Sequence, residues 1–205
     1  MDVAKKEEWE QTGMDIFWGE IAPHDHILQI YEDDQAFMDM LVGFVSNGLQ
    51  VGESVVIIGT TEHLKTLNQR LRDQGFDLFG LTLQDQYIPL NAEDTLSQFM
   101  ISGWPDENLF YHLLANLLLR ARKKGRQVRA FGEMVSVLWS QGHGGATIHL
   151  EQLWDKFCKT EKFSLFCAYP KSDFTEDATE SLSKICRCHS KIITHANRNS
   201  PRIAL

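Results

Sequence analysis

The chain has 205 residues, enough for one large domain with a substantial core, and its 43% hydrophobic and 23% charged content is that of a soluble globular protein. A formal net charge of -8 argues against nucleic-acid binding through the overall field, because phosphates must be met by Lys and Arg. Four cysteines, Cys158, Cys167, Cys186 and Cys188, do not make a dense disulfide pattern, so a reducing cytoplasm is expected. The segment Met1 to Gly13 has no apolar signal region, and the longest mostly apolar run, Leu109 to Leu119, is shorter than the roughly 20 residues a bilayer needs. It reads as a buried helix, and no membrane attachment is expected.

Residues 1–20 read as a loose or helical lead-in, 21–195 as a single domain, and 196–205 as a tail. His26 to Tyr31 is a short β-rich run, followed by Asp33 and Asp34, either of which could cap a helix. Phe37, Met40, Leu41, Phe44 and Val45 then form one helical face, with Gly48 as the stop. Ser54 to Ile58 is an unbroken β-branched run, the pattern of a strand buried on both faces. After a turn at Gly59-Thr60-Thr61, Leu64, Leu67 and Leu71 mark a second helix ending at Gly75.

Asn91 to Asp94 reads as a capping start for a short helix with Leu96, Phe99 and Met100. Pro105 is expected to open a long helix, with Asp106 and Glu107 in its first turn and Arg120, Arg122, Lys123 and Lys124 near its end. Val128 to Phe131 is a strand. A helix from Ala146 to Thr160 follows, then a strand from Phe163 to Tyr169 stopped by Pro170, then a final helix from Glu176. Strands alternating with helices predict an α/β fold of three layers, a mainly parallel sheet with helices on both faces.

The segment Gly48-Leu49-Gln50-Val51-Gly52-Glu53, leading into a buried strand, resembles the approach to the phosphate loop in RecA- and KaiC-like ATPases. The G-x-x-x-x-G-K-[ST] spacing is absent, and Glu62 puts a negative charge where phosphates would lie. The frame is thus similar to a RecA/KaiC-like protein with a lost P-loop. Further stretches are His26 with Tyr31, Arg129 to Met134, Leu150 to Trp154, Leu165 to Pro170 and Ile185 to Ser190. Together they resemble the MEDS domain, the sensory domain named for methanogens, methylotrophs and the repressor DcmR. The resemblance covers residues 20–195. It implies a RecA/KaiC-like fold and a role in sensing or signal relay. It also implies small hydrocarbon derivatives as the ligand class and a protein partner, such as a histidine kinase or transcription regulator.

Glu133 follows a strand end, where open parallel sheets place their binding crevice. The alternative is a buried carboxylate paired with Arg129 or a backbone amide. His24 and His26 would share a strand face, but two ligands are too few for a metal centre. Both are read as polar or core-edge histidines. His149 and Glu151 point apart on a helix, and Glu151 either faces the pocket or pairs with a cation. Cys186 and His189 could share a helical face, but no second Cys/His pair stands at finger spacing, so a packing helix end is preferred. A titrating His189 is the other option. Cys167 lies in an apolar strand, where a thiol stays protonated. Phe131, Trp139, Trp154 and Tyr169 are read as core.

The expected function is a non-catalytic sensory domain with no cofactor and no metal. The expected binding residues are Tyr31, Thr60, Glu62, Glu133 and Glu151, with His26 beside them. The alternatives are a degenerate nucleotide binder and a pure interaction adaptor. The latter could use Leu182, Ile185, Ile192 and Ile193 of an amphipathic C-terminal helix as a partner or homodimer contact.

Overall fold

Six parallel strands form the centre of the molecule, and most of their residues are buried on both faces. The computed structural model describes residues 18–175, 178–194 and 202–204. In chain order the strands are β1 (His26–Tyr31), β2 (Ser54–Gly59), β3 (Tyr87–Asn91), β4 (Met100–Ile101), β5 (Trp104–Pro105), β6 (Val128–Gly132), β7 (Ser164–Pro170), β8 (Lys191–Thr194) and β9 (Arg202–Ala204). The main sheet runs β3-β2-β6-β7-β1-β8-β9, with β9 antiparallel at the edge, while β4 and β5 form a separate hairpin. The helices are α1 (Asp34–Gln50), α2 (Thr61–Asp73), α3 (Leu78–Leu83), α4 (Ala92–Ser97), α5 (Glu107–Ala121), α6 (Met134–Ser140), α7 (Gly144–Glu161) and α8 (Thr179–Arg187).

The period-2 alternation of the strands divides the core into two layers. Ile27 and Tyr31 of β1, Val55 and Ile57 of β2, Phe131 of β6 and Phe166 of β7 pack beneath α1, α2 and α3. Leu28, Val56, Ile58, Ala130, Leu165, Cys167 and Tyr169 pack against α4 to α8. The result is a three-layer α/β fold. Trp18, at the end of the expected lead-in, is buried at the α1 face, with its ring 5.1 Å from Phe44 and 5.5 Å from Phe166.

Several local expectations are corrected. Helix α1 runs through Gly48 to Gln50. Gly48 is small because Arg129 passes it: a Cβ there would lie 2.6 Å from the Arg129 Nε. Pro105 belongs to the hairpin, and α5 starts at Glu107 with Asp106 as its cap, accepting the Leu109 amide at 2.9 Å. Ile192 and Ile193 lie on β8, not on the last helix, which begins at Thr179. Glu176 lies outside the described residues. Strand β3 was not anticipated. It contains Pro89, which a sheet tolerates at an edge strand because proline has no N–H to donate. Asp33 is the α1 cap, as one of the two aspartates was expected to be.

Arg129 is 4% exposed and inserts between sheet and α1, where it pairs with Glu53 and donates from Nη1 to the Phe44 carbonyl at 2.9 Å. Its guanidinium also lies over the Phe44 ring, 5.1 Å from the centroid. Removing one partner of such a pair leaves a buried charge uncompensated. Glu53→Ala is therefore expected to lower stability by roughly 3 kcal/mol in denaturant unfolding. The double variant Glu53→Leu/Arg129→Met should regain much of that loss, because it removes both charges together.

Candidate functional site

The expected site residues gather into two assemblies on opposite faces of the sheet. The first stands at the C-terminal ends of three strands. Tyr31 ends β1, Thr60 follows β2, and Glu133 follows β6. Thr60 caps α2, with its hydroxyl accepting the His63 amide at 3.4 Å. Glu133 accepts the Thr60 amide at 2.7 Å through Oε2 and the His63 Nδ1–H at 2.6 Å through Oε1. Of the two partners offered as an alternative for Glu133, Arg129 is held by Glu53 instead, and a backbone amide, that of Thr60, is bound.

Phe37 joins Tyr31 to this network. Its ring stacks on Tyr31 at 4.6 Å and meets the His63 ring edge-on at 5.0 Å. The hydrogen bond that His63 donates to Glu133 holds the His63 pKa above its ordinary value of 6.5, against the opposing effect of burial. Glu62 is exposed on the first turn of α2 and acts on the cluster as a neighbouring negative charge that raises His63. Burial, followed by the Glu133 charge, pushes the Tyr31 hydroxyl up as well. His63 was not among the expected residues. Its signal was position: it lies three residues after a capping Thr at a strand end.

The second assembly lies under β1 and β7, on the face covered by α7 and α8. His26 opens β1, Cys167 is central in β7, Glu151 projects from α7, and His189 follows the end of α8. The His26 and His189 rings lie 3.9 Å apart, centroid to centroid. Glu151 Oε2 is 3.6 Å from His26 Nε2 and 3.5 Å from His189 Nε2, and Cys167 Sγ is 3.4 Å from His26 Nε2. Each imidazole donates its Nδ1–H to a backbone carbonyl, His26 to Cys188 at 2.9 Å and His189 to Ile185 at 2.8 Å. The Tyr169 hydroxyl donates to Glu151 Oε1 at 2.6 Å. Glu151 Oε2 and His189 Nε2 have no hydrogen-bond partner among the described residues.

Burial governs the protonation of this group. It pushes the Glu151 carboxyl up to about 8 and the Cys167 thiol well above its usual range. It pulls His189 down to about 4, and His26 well below 6.5. The His24–His26 pair does not form: His24 is exposed with φ 109°, outside the strand, while His26 is buried. His149, read together with Glu151, stacks instead on Trp104 at 5.2 Å. Cys186 and His189 do not act together, because His189 turns inward beyond the helix end. An open hollow of about 400 Å³ beside α2, α3 and β3, lined by Arg72, Phe79, Tyr87 and Pro89 among others, shares no residue with either assembly.

Residues 25–190 match the family model for MEDS, the MEthanogen/methylotroph, DcmR Sensory domain. The chain belongs to the MEDS family. The matched span runs from Asp25, next to His26, through Ser190, next to His189, so both assemblies lie inside the MEDS domain. A solved structure from Pyrococcus horikoshii OT3, studied as PH0250, is similar in fold, with a TM-score of 0.58 and 12% identity. The likeness covers 88% of this chain and 86% of that one, and it shows the α/β fold alone. No curated protein matches the MEDS chain by sequence. No helix among the described residues is long and apolar enough to cross a membrane.

The raised His63 pKa has a defined consequence for stability. The His63–Glu133 pair stabilises the fold fully below pH 6.5, and this contribution is lost as pH rises through the elevated folded value. The His63 imidazole signals in NMR are expected to titrate with a midpoint above 6.5. In Glu133→Gln the midpoint should fall, because burial is then opposed only by the smaller effects of the Asp34 and Glu62 charges.

Proposed function

We propose that this MEDS domain is a non-catalytic cytoplasmic sensor. It binds a small ligand at the C-terminal ends of β1, β2 and β6 and passes its state to a protein partner, such as a histidine kinase or transcription regulator. The observation that carries this reading is the Thr60–His63–Glu133 network. It stands where open parallel sheets bind their ligands, and it mixes a carboxylate, an imidazole and an aromatic wall formed by Tyr31 and Phe37. The family's description as sensory supports the signalling role.

The same network argues against retained nucleotide chemistry. A phosphate at the start of α2 needs free backbone amides and positive charge. The Thr60 amide is already taken by Glu133, and the His63 amide by the Thr60 hydroxyl. A carboxylate therefore occupies the place an anion would want. A ligand switches such a domain only by binding two of its states unequally. The elements that meet at the network, the first turn of α2 and the start of α6, are the ones positioned to shift.

A thermal-shift series tests the reading, with short-chain alcohols, carboxylates and halogenated hydrocarbons beside ATP, ADP and GTP with magnesium. A small organic ligand at a hundred times its Kd should stabilise the fold by about 2.7 kcal/mol. The shift should disappear in Glu133→Gln. Stabilisation by a nucleotide would overturn the lost-phosphate-site argument, and silence from every compound would favour an interaction adaptor.

A further inference from the structure

The buried group under β1 and β7 does not belong to the strand-end network, and its chemistry points elsewhere. His26, Glu151, Cys167 and His189 each present one donor atom, and the four atoms lie within 4.8 Å of one another. We propose that these four residues form a tetrahedral site for a divalent first-row transition ion, with Zn²⁺ the ion that the donors fit best.

Three independent features support the site. The first is spacing. Zinc bonds of about 2.0–2.3 Å to N, O and S imply donor–donor edges of about 3.3–3.7 Å in a tetrahedron. Three of the six edges, at 3.4, 3.5 and 3.6 Å, fall in that range, and all six are within 4.8 Å, so a small inward shift of the side chains closes the tetrahedron. The second is orientation. Both imidazoles give their Nδ1–H to backbone carbonyls, which fixes the tautomer and turns each Nε2 lone pair toward the centre. Tyr169 holds the other oxygen of Glu151, in the outer position typical of metal sites.

The third feature is unsatisfied polarity. The side chains of His189 and Glu151 are fully enclosed, yet His189 Nε2 and Glu151 Oε2 have no hydrogen-bond partner among the described residues. Two such atoms 3.5 Å apart are costly in a dry interior, and one cation between them satisfies both. The charges also close. The ion displaces one proton from the Cys167 thiol and one from the Glu151 carboxyl. The thiolate and the carboxylate then offset a 2+ ion, with both imidazoles neutral, which removes the penalty of burying net charge.

Four protein donors leave no open coordination position, so the ion would be structural. It would tie together β1, β7, α7 and the segment after α8. That segment continues directly into β8, which pairs with β1. The ion would therefore fasten the C-terminal edge of the sheet to its centre.

The test uses the full chain. Metal content is measured after purification, and chelator-stripped protein is titrated with Co²⁺. The expected result is one ion per chain, intense visible bands of four-coordinate Co²⁺, and a thiolate-to-Co²⁺ charge-transfer band. Cys167→Ser should lose the charge-transfer band, whereas Cys186→Ser/Cys188→Ser should keep it. His189→Ala should weaken binding more than tenfold. X-ray absorption of the unmodified zinc-loaded chain gives a readout that needs no variant, with one sulfur and three nitrogen or oxygen neighbours expected. Absence of stoichiometric uptake overturns the proposal. So does a pale six-coordinate Co²⁺ spectrum, a sulfur count other than one, or a charge-transfer band that follows Cys186 and Cys188.

Discussion

Burial of the sheet on both faces is the constraint on which the rest of the molecule depends. All six residues of β2 and all five of β6 are buried, so a polar group on these strands has no route to bulk water. Each must be satisfied inside or at a strand end. Arg129 on β6 solves this with Glu53, the Phe44 carbonyl and the Phe44 ring. Gly48 solves it from the other side, by leaving room for the guanidinium in the last turn of α1. Glu133 lies just past the end of β6 and faces the amide that opens α2.

The same constraint separates two kinds of polar centre. The strand-end network is half-buried, because His63 retains 23% side-chain exposure, and a solute can approach it. The His26 and Glu151 group is enclosed, with side chains 2% and 0% exposed. A centre of the first kind suits exchange with a ligand. A centre of the second kind suits a component that stays with the fold. Strand β1 carries a member of each, because His26 and Tyr31 are five positions apart and a strand alternates its faces with period two.

Much of the fold was legible from pattern. The β-branched run of β2 and the apolar stripe of α1 are local signals, and each appears where the pattern put it, while the structure chose Asp33 over Asp34 as the cap. Where local signals were thin, the expectation failed. Strand β3 is short and carries Pro89, and Pro105 carries the same dihedral preference in a hairpin as in a first helical turn. Ile192 and Ile193 fit either a helix face or a strand, and pairing with β1 decides in favour of the strand.

The sequence by itself determined the alternation of strands and helices, the missing G-x-x-x-x-G-K-[ST] spacing after β2, and the place of Glu133 at a strand end, because these rest on neighbours along the chain. It also contained the one hint of a buried centre: Glu151 shares the buried stripe of α7 with Thr147, Trp154 and Cys158. Only the tertiary structure decided the partners. His26 meets His189 across 163 positions of chain, and Glu151 and Cys167 come from a helix and a strand that local pattern reads as separate elements. Reasoning by sequence spacing paired His26 with His24 and His189 with Cys186, since those were the donors within reach along the chain. Parallel pairing of β1 with both β7 and β8 brings distant donors closer than adjacent ones, and that register is a property of the sheet rather than of any segment in it.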